Sequence, residues 1–143
     1  MYELYTDAAV SKGHAVATCF LLGDNNYLGY NSFEYSKVFS SLHSELLGIR
    51  DGLRYAKSIG LTKKDILIVY SDSNSAIQLI KKSIANPDVP KKFKVIANEI
   101  CTECNDLFVK FQLIQGHQSN HNPNKVVDLS SNTILRYRIR ENQ

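Results

Sequence analysis

The stretch DILIVYSDSNSA, residues 65 to 76, contains the transition that decides the fold. Ile66 to Val69 form a short apolar run that predicts a buried strand, and Asp72 follows at its carboxyl end. The next residues, SNSAIQLIKK, predict a helix from about Asn74 to Ser83. An Asp at such a junction can simply be a helix cap. A further role for Asp72 depends on whether other acids of the chain reach the same place.

The residues before this stretch predict three strands and a helix. MYELYTDAAV is typical of a strand that ends at Asp7, and HAVATCFLLG and YLGYNSFEYS of two more, joined by short turns such as GDNN. Over residues 40 to 60, apolar residues at steps of four and three predict a helix that stops at Gly60. Glu45 falls at the edge of the buried face of that helix.

The residues after the stretch predict two more helices with a strand between them. NPDVP at 86 to 90 breaks the chain, PKKFKVIANEICTECNDL is typical of a helix, FVKFQLIQG of a strand, and HNPNKVVDLSSNTILRYR of a closing helix. Strand–helix–strand crossovers imply that strands one, four and five are parallel. We therefore predict an α/β protein of one domain, residues 1–143, with a five-stranded mixed sheet flanked by about four helices and an antiparallel meander outside.

Composition sets limits on the class of protein. The 143 residues suffice for one core, and a net charge of +3 permits a polyanionic partner. An odd number of cysteines, three, favours a reducing compartment, so we expect a cytoplasmic protein. The pair Cys101 and Cys104 could bind a metal, but helical spacing favours a core position for Cys104. The sequence shows neither a secretory leader nor an apolar run of about 20 residues, so no membrane partner is expected.

Four acids are predicted to converge on one edge of the sheet. Asp7 and Asp72 end neighbouring parallel strands, and ligands of such sheets gather at those ends. Glu45 lies on the margin of a helix that packs on the sheet, and Asp128 can point back from the last helix. Clustered carboxylates repel one another unless a cation binds, and oxygen ligands of high charge suit Mg²⁺ or Mn²⁺ better than zinc. A phosphodiester substrate fits this chemistry.

Four blocks of the sequence resemble the signature blocks of type 1 ribonuclease H. They are TDAAV, HSELLGIRDGL, YSDSNSA and GHQSNHNPNKVVDLSS, which span residues 6 to 131 in the family's order. The resemblance implies a ribonuclease H-like fold and an endoribonuclease that cuts the RNA strand of RNA–DNA hybrids, leaving 5′-phosphate and 3′-hydroxyl ends. We expect the protein to be a monomer, with an RNA–DNA hybrid as its partner.

The resemblance assigns roles to individual residues. It implies that two Mg²⁺ ions, which Mn²⁺ can replace, are held by Asp7, Glu45, Asp72 and Asp128. His117 would assist proton transfer or product release. Contacts with the nucleic acid are implied for Ala8, Ser40, Ser41, Ser73, Asn74 and Asn124, where Ala8 replaces the glycine that the family usually has after its first Asp. Ser40 and Ser41 occupy the positions where the family holds a phosphate of the DNA strand.

Several alternatives stay open at this point. Helix capping could explain Asp72, Ser73 and Asn124, and solvent exposure is the default for His14 and His43. A basic grip on the substrate or a plain solvated face could explain the lysines around NPDVP, which are Lys81, Lys82, Lys91, Lys92 and Lys94. In place of a hybrid-cutting enzyme, the chain could be a binding module without turnover or a DNA-directed nuclease of the same superfamily.

Overall fold

The computed structural model describes residues 1–24, 26–85 and 88–114, which form a five-stranded sheet and three helices. The strands are β1 (Tyr2–Ser11), β2 (His14–Gly23), β3 (Asn26–Tyr35), β4 (Ile66–Ser71) and β5 (Phe108–Leu113). The helices are α1 (Ser41–Ile59), α2 (Asn74–Ala85) and α3 (Lys94–Asn105), and a single 3-10 turn (Lys91–Phe93) leads into α3.

The strand order across the sheet is β3-β2-β1-β4-β5. β1, β2 and β3 form an antiparallel meander, whereas β1, β4 and β5 are parallel. This topology confirms the predicted α/β class and mixed sheet. The predicted fourth helix lies outside the described residues, and with it Asp128, His117 and Asn124.

The prediction that the first strand ends at Asp7 is wrong. β1 continues to Ser11, because Asp7 and the residues after it still pair with β2, up to Ser11 opposite His14. Its parallel pairing with β4 stops earlier, at Tyr5 opposite Tyr70. Asp7 therefore lies just beyond the point where β1 loses its partner on one side.

Helix α1 packs closely on β1 and β2. Its apolar stripe is buried as predicted, with Leu46, Ile49, Leu53 and Ala56 fully inaccessible to solvent. Gly60 ends the helix at a φ of 120°, and its N–H donates to the carbonyls of the last turn. Gly48 permits the close approach to β2, because a Cβ added there would lie only 2.7 Å from the Cβ of Ala17.

Gly48→Ala is expected to lower the free energy of unfolding by roughly 1–3 kcal/mol, as overpacking does in a tight core. Glycine to alanine inside a helix ordinarily stabilises by about 0.5–1 kcal/mol, so the expected sign is reversed. The neighbouring Ala17 Cβ is fixed to the backbone of β2 and cannot rotate away. Urea denaturation measures the change, with Ser58→Ala at an exposed position of α1 as the control. A Gly48→Ala protein as stable as the parent would contradict the close contact.

A chain of ion pairs joins α1 to α3. Arg50 donates from Nη1 to Glu99 at 3.1 Å, and Arg54 donates from Nε to Glu103 at 3.1 Å. Lys57 also pairs with Glu103. Because Arg50 and Glu103 are largely buried, these pairs are shielded from solvent and fix the two helices against each other.

Two of the three cysteines, Cys19 and Cys104, belong to the core, and none of the three is in the acid cluster that could hold a metal. All three are free thiols, and Cys104 packs against the hydrophobic core of the sheet and helices. Burial raises the pKa of Cys104 to about 12, so its thiol is protonated and a poor metal ligand. The core position predicted for Cys104 is confirmed. Within the described part of the chain, no helix is long and apolar enough to cross a membrane.

Candidate active site

Two acids are delivered by neighbouring parallel strands. Asp7 lies in β1, two residues past the last pair with β4, and only 3% of it is exposed. Asp72 directly follows β4, which ends at Ser71, and is half-buried. The strands thus place both side chains at the carboxyl edge of the parallel part of the sheet, as the sequence predicts.

The N-cap of α2 is Ser73 and not Asp72. The Ser73 hydroxyl accepts a hydrogen bond from the N–H of Ala76 at 3.2 Å, and its carbonyl accepts from the N–H of Ile77. The N–H of Ser73 itself donates to the hydroxyl of Ser71 at 3.1 Å. The capping alternative is therefore right for Ser73, and a cap at Asp72 is not what sets the start of this helix.

The third acid comes from the first turns of α1. Ser40 caps this helix, because its hydroxyl accepts a hydrogen bond from the N–H of His43 at 3.0 Å. Glu45 follows about one and a half turns later and is 8% exposed, which agrees with its predicted position at the edge of the buried face. The close packing of Gly48 on β2 brings this end of the helix, and Glu45 with it, against the sheet.

The three acids meet at one point. Asp7, Glu45 and Asp72 each offer one carboxylate oxygen, and these oxygens all lie within 4.8 Å of one another. At such distances ionised carboxylates repel strongly, and burial of two of them adds a desolvation cost. Repulsion of this kind works against the stability of the fold, and such a cluster is typical of a functional site.

The donor set fits a hard divalent cation. All three ligands are carboxylate oxygens, which Mg²⁺ and Mn²⁺ accept and which offer zinc none of its preferred nitrogen or sulfur. Among residues 1–24, 26–85 and 88–114, this is the one group of three or more acids, histidines or cysteines close enough to hold a metal ion. The three acids define the candidate metal centre.

The residues assigned to nucleic-acid contacts differ in their exposure and in the hydrogen bonds that they make. Ser40 and Ser73 are helix caps whose hydroxyls are already engaged, whereas Ser41 and Asn74 are exposed at the first positions of α1 and α2. Ala8 follows Asp7 in β1, opposite Ala17. Contacts of these residues with a substrate stay predictions.

The five lysines fall into two groups. Lys81 and Lys82 are exposed near the end of α2, and Lys91, Lys92 and Lys94 are exposed around the start of α3. Lys92 is distinguished from the others, because its Nζ lies 5.2 Å from the centre of the Phe93 ring. The lysines therefore form two clusters, one around the start of α3 next to Phe93 and the other near the end of α2.

An aromatic cluster beside the N-cap of α1 was missed by the sequence reasoning. Exposure is the right prediction for His14, but His43 is half-buried and stacks on Phe39. Phe39 also contacts Phe93, which lies 54 positions further along the chain. The sequence offered two signals, an aromatic residue directly before a helix cap and the run KKF. Neither signal shows that the segment around Phe39 meets the segment around Phe93.

The fold is that of the ribonuclease H class. The N-terminal RNase H domain of Rv2228c from Mycobacterium tuberculosis, solved as a fusion with maltose binding protein, superposes with a TM-score of 0.81 at 12% identity, covering 99% of this chain and 98% of that one. RNase H1 from the halophilic archaeon Halobacterium salinarum NRC-1 gives a TM-score of 0.68 at 18% identity, with 94% and 97% covered. The resemblance seen in the sequence is thus confirmed for the fold.

A third similar structure contains a nucleic acid. LC11-RNase H1, isolated from compost by a metagenomic approach, was solved in complex with an RNA/DNA hybrid. It superposes with a TM-score of 0.73 at 13% identity and covers 94% of this chain and 99% of that one. No protein-family model and no curated protein sequence matches the chain. At these identities the likeness establishes the fold, and function must be argued from the site.

Proposed function

We propose that this protein is an endoribonuclease that hydrolyses the RNA strand of RNA–DNA hybrids with the help of two Mg²⁺ ions, which Mn²⁺ can replace. The observation that carries the proposal is the convergence of Asp7, Glu45 and Asp72 within 4.8 Å at the carboxyl edge of a ribonuclease H-like sheet. A largely buried cluster of three acids supports the proposal, because it could hold the metal ions that phosphodiester hydrolysis of this kind uses.

In this proposal the chain's own acids hold and orient the ions. Asp7, the most buried of the three, would contact both ions, with Glu45 and Asp72 completing one and Asp128 the other. Bound divalent ions lower the pKa of a bound water and stabilise charge on the attacking and leaving oxygens. The substrate bond that breaks joins phosphorus to the 3′ oxygen, so the products carry 5′-phosphate and 3′-hydroxyl ends.

Other residues would position the substrate and move protons. His117 would accept or donate a proton during turnover or aid product release. Ser41 and Asn74, both exposed at the first positions of α1 and α2, would contact the nucleic-acid backbone, together with Ala8, Ser40, Ser73 and Asn124. Discrimination of the two strands would depend on the 2′-hydroxyls exposed in the minor groove.

The proposal also covers the domain organisation, oligomeric state and compartment of the protein. A single domain over residues 1–143 acting as a monomer is expected, and light scattering of the purified protein measures its mass in solution. Three free thiols fit a reducing compartment such as the cytoplasm.

The decisive experiment is a cleavage assay with four labelled substrates: RNA–DNA hybrid, single-stranded RNA, duplex RNA and duplex DNA. We expect cutting of the RNA strand of the hybrid alone, with Mg²⁺ or Mn²⁺ and not with chelator. Ca²⁺ is expected to support little cleavage, because its looser coordination positions the reacting oxygens poorly.

The same gel tests the competing functions. An intact hybrid at micromolar protein with both Mg²⁺ and Mn²⁺, combined with retained binding, would indicate a binding module. Cutting of duplex DNA would indicate a DNA-directed nuclease. Either result would overturn the proposal.

A further inference from the structure

A groove runs along the last strand of the described sheet, between β5 and the end of α2. Its volume is about 420 Å³, and the described residues that line it are Lys81, Ile84, Val109, Lys110 and Phe111. Ile84 is 59% exposed, although it is a large apolar side chain. Val109 and Phe111 are half-buried where they pack against the hydrophobic core. These five residues, called the β5 groove below, combine an accessible apolar surface with two basic side chains.

The backbone of β5 lies at an edge of the sheet. β5 is the last strand in the order β3-β2-β1-β4-β5 that the described residues form. The N–H of Ile114 donates to the carbonyl of Ser71 at 3.0 Å, so Ile114 directs its backbone groups towards β4. Every second residue of a strand in a parallel pair bonds to the same neighbour. Val109, Phe111 and Leu113 therefore direct their N–H and C=O groups away from β4, and such an edge is a template for a further strand.

Two lysines give the groove a positive charge. Lys81 belongs to α2 and Lys110 to β5, and both are exposed. None of the described residues that line the groove is acidic. Lys82, which is also exposed, adds a further positive charge next to Lys81. An apolar surface with positive charge around it complements a ligand that has apolar side chains and carboxylates.

The backbone edge favours a polypeptide over a nucleic acid as the ligand. Val109 and Phe111 direct both donors and acceptors outward, and an added strand supplies the matching acceptors and donors in a regular row. The oxygens of a phosphate backbone accept hydrogen bonds from protein donors, and they would leave the outward carbonyls unmatched. A second copy of this chain fits poorly through the same edge. It would bring Lys81 and Lys110 of both copies together, and like charges across paired strands are destabilising.

We propose that the β5 groove binds an extended acidic segment of a partner protein, which adds to the sheet as a strand beside β5. The side chains of a strand alternate between its two faces. Apolar side chains on one face of the segment pack against Ile84 and Phe111. Carboxylates on the other face pair with Lys110, and a carboxylate at the end of the apolar run pairs with Lys81. This inference stands independently of the proposed function.

The groove lies away from the start of α2, where the acid cluster is. Asn74 begins α2 directly beyond Asp72 and Ser73, and Lys81 follows Asn74 by seven residues. This spacing corresponds to about 10 Å along a helix axis. The segment therefore attaches the protein to its partner at a place other than the candidate metal centre.

Hydrogen exchange followed by NMR tests the added strand residue by residue. The probe is a short peptide in which Glu alternates with Val or Ile. On binding, exchange should slow at the amides of Val109 and Phe111, which point outward, and change little at Lys110, whose N–H already faces β4. The same peptide with N-methylated backbone amides cannot donate to the edge and should not bind. Absence of binding at millimolar peptide, or equal protection of successive amides of β5, would overturn the proposal.

Ile84→Asp tests the apolar part of the groove. Fluorescence anisotropy with the labelled peptide should show affinity falling ~10-fold or more, because a carboxylate in the groove repels the acids of the peptide. Val95→Asp is the matched control, since Val95 is 72% exposed on α3 and does not line the groove. Equal affinities of the two variants for the peptide would place the peptide elsewhere and overturn the groove.

Reversal of charge tests the complementarity with acids. The double variant Lys81→Glu with Lys110→Glu should bind the Glu peptide ~10-fold more weakly, because two exposed ion pairs are lost. It should also bind a peptide with Lys in place of Glu better than the parent does. Lys12→Glu with Lys37→Glu is the control, because both lysines are exposed and lie in the turn between β1 and β2 and just after β3. Equal effects of the two double variants would reduce the interaction to net charge and overturn the proposal.

A nucleic-acid arm separates the two classes of ligand. A single-stranded DNA oligonucleotide at the same concentration should not slow exchange at Val109 and Phe111. An oligonucleotide that protects these amides and displaces the peptide would identify a nucleic-acid site, and the assignment to an acidic protein segment would be wrong. Failure of the protein to cut hybrids would refute the proposed function and leave the peptide results unaffected.

Discussion

Replacing Asp72 by asparagine is expected to lower the rate of hybrid cleavage by more than ~100-fold, because even the loss of a group that only supports a metal ligand costs 10- to 100-fold. Asparagine keeps the shape of the side chain but offers a hard cation a weaker ligand than a carboxylate. The change does not touch the cap of α2, which is Ser73. Cleavage rates at saturating Mg²⁺ measure the effect.

The melting temperature of the same variant shows whether Asp72 serves metal binding or the stability of the fold. The substitution removes one of the charges that meet within 4.8 Å, so without metal Asp72→Asn should melt no lower than the parent. Added Mg²⁺ should raise the melting temperature of the parent more than that of the variant. A ligand stabilises the native state more when it binds that state more tightly, and the variant is expected to bind Mg²⁺ more weakly. A variant that melts well below the parent in chelator and still cuts hybrid would make Asp72 a structural residue.

Asp51→Ala is expected to have the opposite profile, with about 3 kcal/mol of stability lost and cleavage by the folded protein retained. Asp51 accepts hydrogen bonds from the Tyr35 hydroxyl and from Nε of Arg50, the latter at 3.0 Å, and its side chain is only 15% exposed. Removing it takes a charged acceptor from both donors in a largely buried place, and leaves Arg50 with Glu99 and the Tyr35 hydroxyl with the carbonyl of Leu47. Urea denaturation of both proteins measures the loss.

Asp106→Ala provides the control for this prediction. Asp106 also pairs with a cation, Lys57 at 3.0 Å, but its side chain is 63% exposed. An exposed pair of this kind contributes at most about 1 kcal/mol, so the variant should unfold close to the parent. Equal losses in Asp51→Ala and Asp106→Ala would show that burial of the first pair does not matter.

Local patterns in the sequence were enough to predict the helices and strands and part of the candidate site. The apolar stripe of α1 predicts the margin position of Glu45, and the run before Asp72 predicts a strand that ends beside it. What the sequence could not supply is pairing between distant segments. The extension of β1 beyond Asp7 depends on its register with β2, and the unequal ends of its two pairings define the position of this acid.

The contacts that the sequence reasoning missed are of long range. Phe39 meets Phe93, and Arg50 meets Glu99, across roughly half of the chain's described length. A lysine or a histidine considered alone is most simply placed in solvent, and only the packing of α3 on α1 shows that His43 and Lys92 share a surface. Such packing depends on the whole tertiary structure and leaves no periodic signal.

The distribution of the three acids over β1, α1 and β4 also has a consequence for the order of folding. β1 and β2 are joined by a tight turn, with Ser11 opposite His14, so the meander can form from neighbouring segments. The pairing of Tyr5 with Tyr70 closes a much longer loop and is slower to form. Asp72 is therefore expected to join Asp7 late, and its repulsion with the other two carboxylates then arises only after the meander has formed. We therefore expect folding to begin in the meander, before Asp72 reaches the other acids.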